Sequence, residues 1–188
     1  MTAAVLDRHT SSPPATLMAA SGRVLVAAGS VFGAANLFQW SVTSGLWLHP
    51  AALSLSWPLA VTVFLVTVRR LRRNGGEAAQ RVTRWSRLFI ISQIAAALTL
   101  AGLSAWRGDW STMMWMSPVG LSLYAVGWGV AALQTGQRWM AGAAFGTTIA
   151  AAALTRLVGT PGQYLAYASA LFAFVLIPGL VMSVSRKG

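Results

Sequence analysis

Long apolar stretches separated by short polar ones make up most of this 188-residue chain. A helix needs about 20 residues to cross a hydrocarbon core about 30 Å thick, and six stretches come close to that length or exceed it. Backbone groups in lipid must be hydrogen bonded within their own segment, so each stretch is predicted to be a helix. Apolar runs such as residues 94–98 do not alternate as the strands of a barrel would. The predicted helices cover residues 24–48, 51–68, 88–106, 112–133, 139–157 and 163–184.

The first residues of the chain have a different character. They are polar, contain the adjacent prolines Pro13 and Pro14, and show no apolar period. We therefore expect a polar N-terminal tail over residues 1–22 and a single six-helix transmembrane domain over residues 23–188. The fold class is all-α, a polytopic six-helix membrane bundle.

The basic residues are unevenly divided between the connections. Of 14, all but Arg107 and Arg156 lie in the N-terminal tail or directly after it, in the connection 69–87, before Trp139 or at the C-terminus. Basic residues collect on the cytoplasmic side of membrane proteins, so both termini are predicted to be cytoplasmic. Arginine far outnumbers lysine, which is typical of GC-rich bacterial genomes, and we expect a multi-pass protein of a bacterial inner membrane.

The composition agrees with a membrane location. Hydrophobic residues make up 56% of the chain and charged residues 9%, whereas soluble domains carry about 25% charged residues. The net charge of +11 would suggest nucleic acid in a soluble protein. Here the charges flank apolar segments, so we expect a lipid bilayer with anionic lipid at the cytoplasmic face as the partner, and no nucleic acid.

Few residues are suited to catalysis or to holding a cofactor. The chain has no cysteine, two histidines and three acidic residues, and metal sites and acid–base catalysis draw mainly on these types. No Asp, Glu, Lys or His is predicted in the middle of the membrane, where such groups mark proton relays and ion paths. We therefore expect no enzymatic activity, no cofactor and no metal site.

The first apolar segment is the most polar of the six. Gly29, Gly33, Asn36 and Trp40 share one helical face, which is typical of a helix in a bundle interior. Polar side chains on other segments would join this face around a central cavity, where uncharged amides and a phenol would suit a neutral, hydrogen-bonding solute. The predicted cavity lining is Asn36, Gln39, Trp40, Gln93 and Tyr124.

A second set of candidate residues lies at the predicted outer face. These side chains could hold a polar headgroup or a small anion; the alternative is a set of loop residues with weak exposed ion pairs. The set comprises His49, Arg107, Asp109, Arg156 and Tyr164.

The connection 69–87 is the third candidate region. After Gly75 and Gly76, its second half could form a basic helix at the membrane surface, and such clusters bind anionic lipid or an acidic partner. Its arginines are Arg69, Arg70, Arg72, Arg73, Arg81, Arg84 and Arg87.

Two classes of function remain open. The first is a structural or regulatory membrane subunit that acts through a membrane-protein partner or as a homo-oligomer. Small-residue seams support it, among them Ser92, Ala95, Thr99 and Gly102 on one face of the third segment. The alternative is a permease for small neutral solutes or a substrate-capturing subunit of a transporter. Six helices with both ends inside resemble, in size and topology alone, the membrane-embedded substrate-binding subunits of vitamin importers.

Overall fold

The computed structural model describes residues 14–46, 53–74 and 76–184, and these residues form helices joined by short turns, without a strand. Within these ranges, the structure describes only the backbone of residues 14–16, 54, 74, 76–81 and 83–85. The α-helices are α1 Pro14–Thr43, α2 Leu53–Asn74, α3 Gly76–Arg107, α4 Met116–Thr135, α5 Arg138–Leu154, α6 Gly162–Leu171 and α7 Ile177–Val184. The all-helical prediction is confirmed for this part of the chain.

Three short helical segments complete the described elements. A 3-10 helix, Trp110–Trp115, leads into α4, and another, Thr155–Leu157, ends α5. A π-helical turn, Phe172–Leu176, joins α6 and α7 into one continuous rod, Gly162–Val184.

Five described helical stretches are long and apolar enough to cross a membrane, which indicates a membrane protein. They are Leu17–Thr43, Ser86–Arg107, Trp110–Thr135, Arg138–Leu157 and Gly162–Val184. The remaining predicted segment, 51–68, corresponds to α2, which is not among the five. The apolar part of α2 ends at Val68, and its last turns carry four arginines from Arg69 to Arg73.

Two helices extend into regions that the sequence predicts to be polar tail or connection. α1 begins at Pro14, inside the predicted tail 1–22, because proline suits a first helical turn and the residues after it are good helix formers. α2 continues to Asn74, and α3 begins at Gly76, so helix replaces most of the connection 69–87. Arginine favours helix, and polarity alone does not distinguish an exposed helix from a loop.

α1 packs closely and antiparallel against the α6–α7 rod. A Cβ placed on Gly22 would lie 2.6 Å from the carbonyl oxygen of Gly179, and one on Gly29 would lie 2.8 Å from the backbone nitrogen of Leu176. Gly33 faces the ring of Phe172 in the same way. The glycines of the polar face of α1 therefore allow close backbone approach, as small residues do between transmembrane helices.

Contacts between the other helices define an alternating bundle. Gln93 on α3 bonds to Gly120 on α4, and Phe89 meets Tyr124, so these helices are antiparallel. α4 and the α6–α7 rod are parallel, since Gln163 lies beside Ser117 while Phe174 lies beside Trp128. Successive long helices therefore alternate in direction. We call the end where α2 meets α3 the arginine end, and the end where α1 leads to α2 the opposite end.

The hydrophobic core lies between α1, α4, α5 and the α6–α7 rod, and α2 contributes Phe64 and Val68 to it. Leu121, Leu154, Leu171 and Val175 are its most deeply buried apolar side chains. α3 lies at the periphery. In the most apolar 18 residues of the span Ser86–Arg107, 6% of the residues are buried, against 39% in those of Gly162–Val184. The α2–α3 hairpin therefore presents most of its surface to its surroundings.

Candidate functional site

The buried polar side chains gather toward the opposite end. Each lies in the half of its helix nearer that end, with Thr147 close to the middle of α5. We call this set the polar layer. Among the described residues it consists of Asn36, Gln39, Ser56, Ser104, Ser117, Thr147 and Gln163. Five of the seven were not predicted as site residues. Four of these are serines or a threonine, which are ordinary features of apolar membrane helices, and the fifth is Gln163.

Two amides on α1 carry oxygens without a donor. Nδ2 of Asn36 donates to the carbonyl oxygen of Phe32 over 2.8 Å, and Nε2 of Gln39 donates to Oγ of Ser56 over 3.3 Å. Their oxygens, Oδ1 and Oε1, are buried and have no hydrogen-bond partner, in side chains that are 0% and 5% exposed. An unpaired buried acceptor costs about 1–3 kcal/mol. The two oxygens, three residues apart on one helical face, are thus suited to accept from a donor outside the chain.

Gln163 contrasts with these two amides because its side chain is fully used. Its Nε2 donates to Oγ of Ser117 over 3.0 Å and to the carbonyl oxygen of Met114, and its Oε1 accepts from the backbone N–H of Gly159 over 3.1 Å. The side chain joins the start of α6 to the start of α4. Its role is to hold these helices together. An amide directly after Pro161 and Gly162 at the start of an apolar segment was the available signal.

The predicted cavity residues fall into two groups. Asn36 and Gln39 lie in the polar layer, with Trp40 half-buried beside them. Gln93 and Tyr124 lie at the contact between α3 and α4, where Nε2 of Gln93 donates to the carbonyl oxygen of Gly120 over 3.2 Å.

Packing surrounds the second group. The ring of Tyr124 lies 4.6 Å from that of Phe89, measured between centroids. A Cβ placed on Gly120 would lie 2.8 Å from the hydroxyl oxygen of Tyr167. Gln93 and Tyr124 therefore contribute to the contact between α3, α4 and α6. Among the described residues, the buried amide oxygens without a donor are those of α1, and Oγ of Ser104 on α3 is a buried hydroxyl without a partner.

Asp109 is used as a helix cap at the opposite end. Its Oδ1 accepts from the backbone N–H of Ser111 over 2.9 Å, and its Oδ2 accepts from Oγ of Ser111 over 2.7 Å. These hydrogen bonds, with a smaller contribution from Arg107, hold the pKa of the Asp109 carboxyl below its ordinary value. Of the remaining predicted outer-face set, Arg107 and Arg156 are exposed and Tyr164 is half-buried, while His49 lies outside the described residues.

The arginine end carries a concentrated positive charge. The side chains of Arg69, Arg70, Arg72, Arg73 and Arg87 are exposed on α2 and α3. The side chains of Arg81 and Arg84 lie outside the described ones. A cationic surface of this kind attracts anionic headgroups and acidic segments.

A small-residue seam on α3 faces away from the bundle. Ser92, Ala95, Thr99 and Gly102 are all exposed, and no atom lies within 4 Å of a Cβ placed on Gly102. The hydroxyls of Ser92 and Thr99 donate to carbonyl oxygens of their own helix, over 3.0 and 2.8 Å. We call these four residues the α3 seam. It leaves a shallow, uncharged strip on the least buried span.

Hydrogen bonding and packing are the chemistry that these regions offer. The described residues contain no group of three or more His, Asp or Glu side chains that could hold a metal ion. The polar layer supplies neutral donors and acceptors, and the α3 seam supplies a surface on which a helix could pack. Comparisons of the chain with protein-family models, with curated proteins and with solved structures found no match.

Proposed function

We propose that this chain is a non-enzymatic structural or regulatory subunit of a membrane assembly and acts through a partner protein that docks on the α3 seam. The observation that carries the proposal is that the α3 seam faces away from the bundle. Its four residues are exposed, on a span whose most apolar 18 residues are 6% buried by residue count. A lipid-facing surface needs no small residues, whereas contacts between transmembrane helices are enriched in them because they let backbones approach.

The charge at the arginine end favours a different protein as the partner on the α3 seam, rather than a second copy of this chain. Two copies in one membrane have the same orientation, so contact through α3 would bring Arg87 and the arginines of α2 toward their counterparts. Like charges placed together disfavour an association, whereas opposite charges support it. The partner we propose has a transmembrane helix for the seam and acidic residues next to that helix.

The topology we propose has six spans, with α2 as the second, and both termini in the cytoplasm of a bacterial inner membrane. The support is the alternation of the helices and the collection of basic residues at one end. The short apolar part of α2 is extended by its arginines, whose aliphatic stems reach along the helix while their charges stay at the surface. A reporter fused after Lys187 that is active only in the periplasm would contradict this orientation.

Site-specific photo-crosslinking tests the docking surface. A photoreactive residue is introduced at position 99 of the full-length protein in native membranes, and a second preparation carries it at position 153 on α5, which is also exposed. We expect one defined protein adduct from position 99, lost when Ala95→Leu fills the seam, and none from position 153. Adducts to lipid alone, or to a second copy of this chain, would overturn the proposal.

A second candidate function, a permease or capturing subunit for small neutral solutes, is favoured by the donor-free oxygens of Asn36 and Gln39. Such acceptors would bind a solute that donates hydrogen bonds. Uptake into liposomes by the isolated protein tests it: this candidate requires saturable uptake that Asn36→Leu abolishes. Uptake equal to that of empty liposomes for a panel of neutral donors would eliminate it.

A further inference from the structure

A groove of about 410 Å³ lies on the surface where α4 turns into α5 at the arginine end. Small residues line most of its length, with Leu133 beside them: Gly129, Ala132 and Gly136 from α4 and its end, and Ala141 and Ala144 on α5. Gln137 and Arg138 stand at its mouth. Its volume falls within the range of about 300–1,000 Å³ that is common for ligand sites.

The tight turn between the helices shapes the groove. Gly136 ends α4 in the left-handed conformation, with a φ of 69°, and its N–H bonds to the carbonyl oxygen of Ala132 over 2.8 Å. α5 then begins at Arg138. Two helices that leave so short a turn lie side by side, and the small side chains between them leave a channel that is open at the surface of the bundle.

The groove has one cationic end and apolar walls. Arg138 is exposed, and Asp109, the one acidic residue whose side chain is described, belongs to the opposite end. The neighbouring Gln137 is held by Trp139, whose Nε1 donates to its Oε1, and by Met18, whose sulfur accepts from its Nε2 over 3.7 Å. Arg138 therefore lines the groove without a described carboxylate at this end of the bundle to neutralise it.

The length and direction of the groove fit an amphiphile. Gly129 and Gly136 are separated by about 10 Å along the helix axis, at a rise of about 1.5 Å per residue. The groove therefore runs from the charged mouth toward the apolar middle of the spans. A guanidinium recognises a phosphate through paired hydrogen bonds, and alanine and glycine walls accept a hydrocarbon chain.

We propose that this groove binds an anionic phospholipid, with the lipid phosphate on Arg138 and the upper part of one acyl chain between α4 and α5. The lipid enters sideways from the bilayer, because the groove opens on the surface of the bundle. Basic pockets between transmembrane helices bind anionic headgroups in this manner. The site is separate from the α3 seam and does not depend on the partner proposed for it.

Two arginines at the ends of one helix give a matched test. The full-length protein is purified in detergent, exchanged into mixed micelles of phosphatidylglycerol and phosphatidylcholine, and its retained lipid is counted by native mass spectrometry. We expect Arg138→Gln to weaken retention of phosphatidylglycerol about tenfold, the loss of a charge-assisted hydrogen bond. Arg156→Gln, which removes an arginine that is also exposed, in the 3-10 turn at the other end of α5, is expected to leave retention unchanged.

A second pair of variants tests the apolar part of the site. Ala141→Phe would fill the groove and is expected to displace phosphatidylglycerol, whereas Ala153→Phe places the same side chain on an exposed position outside it. Both positions are exposed, so neither change is expected to prevent folding. Equal losses in Arg138→Gln and Arg156→Gln, equal retention of both lipids by the unmodified protein, or full displacement by millimolar inorganic phosphate would each overturn the proposal.

Discussion

Nε1 of Trp128 on α4 donates a hydrogen bond to the carbonyl oxygen of Phe174 over 2.9 Å. Phe174 lies in the π-helical turn of the last span, four residues before Pro178. In an α-helix this carbonyl would accept from the N–H four residues later, but proline has no N–H. The indole thus donates to a carbonyl for which Pro178 supplies no N–H, and it ties α4 to the α6–α7 rod at the point where the rod is irregular.

The first prediction concerns this hydrogen bond from Trp128 to the carbonyl of Phe174. Trp128→Phe removes the donor while keeping an aromatic ring, so the free energy of unfolding should fall by about 1–3 kcal/mol, the cost of an unpaired buried carbonyl. The measurement is denaturation in mixed micelles, followed by circular dichroism.

The proline supplies the control for this prediction. Pro178→Ala restores the backbone N–H that an α-helical register pairs with the carbonyl of Phe174, so a donor within the rod becomes available to this carbonyl. A double-mutant cycle should then show that Trp128→Phe costs less in the Pro178→Ala background. An equal loss of unfolding free energy in both backgrounds would mean that Trp128 stabilises the bundle by packing, for example against Met140 and Met182, and not through its hydrogen bond.

The second prediction separates two glycines that have the same helical setting but different neighbours. A Cβ on Gly22 would lie 2.6 Å from the carbonyl oxygen of Gly179, so Gly22→Ala should destabilise the bundle by about 1–3 kcal/mol. Gly142 on α5 has no neighbour within 4 Å of such a Cβ, and Gly142→Ala should stabilise it by up to about 1 kcal/mol through helix propensity. Equal effects on the free energy of unfolding would contradict the close approach of α1 and α7.

The third prediction compares two buried glutamines. Gln163 makes three hydrogen bonds, so Gln163→Leu should cost about 2–4 kcal/mol at about 1 kcal/mol per bond. Gln39 has one bond and an oxygen without a donor, and Gln39→Leu should change stability by less than about 1 kcal/mol because it also removes the unpaired oxygen. A large loss for Gln39→Leu would show that its oxygen is already paired in the folded protein, as by an internal water.

The fourth prediction concerns the acid titration of Asp109. Hydrogen bonds from Ser111 lower the pKa of this carboxyl, so its NMR titration midpoint should lie below the ordinary value of about 3.9. Ser111→Ala should raise the midpoint more than Arg107→Gln does. Because the pKa is lower in the folded state, the carboxylate stabilises the folded protein above the ordinary pKa, and this contribution is lost as the pH falls through the lowered one. A larger effect from Arg107→Gln would mean that charge dominates over the cap.

The length of the apolar stretches was sufficient to predict the long helices, but it did not predict where those helices begin and end. Five of the six apolar segments match the described spans, because membrane crossing demands length and internal hydrogen bonding. The start of α1 at Pro14 and the continuation of α2 from Arg69 to Asn74 were missed because polar helical turns and loops share a similar composition, whereas a helix after Gly76 was among the sequence expectations.

The seam shows a second reason why sequence falls short. The spacing of Ser92, Ala95, Thr99 and Gly102 shows that they share one face of α3, but spacing alone does not say whether that face meets the bundle or its surroundings. That depends on where α3 lies relative to the other helices. The bond from Trp128 to Phe174 was also beyond reach, because it joins residues far apart in the chain through a turn whose irregularity only the fold displays.

The proposal that the chain acts through a partner on the α3 seam is tested most directly by quantitative co-purification from native membranes at native expression level. Three forms are compared: the unmodified protein, the seam variant Ala95→Leu/Gly102→Leu, and the control Ala153→Leu on α5. The predicted result is one other membrane protein at a fixed stoichiometry with the unmodified and control forms, and its loss from the seam variant. A protein that purifies alone in all three forms, or a companion that the seam variant retains in full, would contradict the proposal.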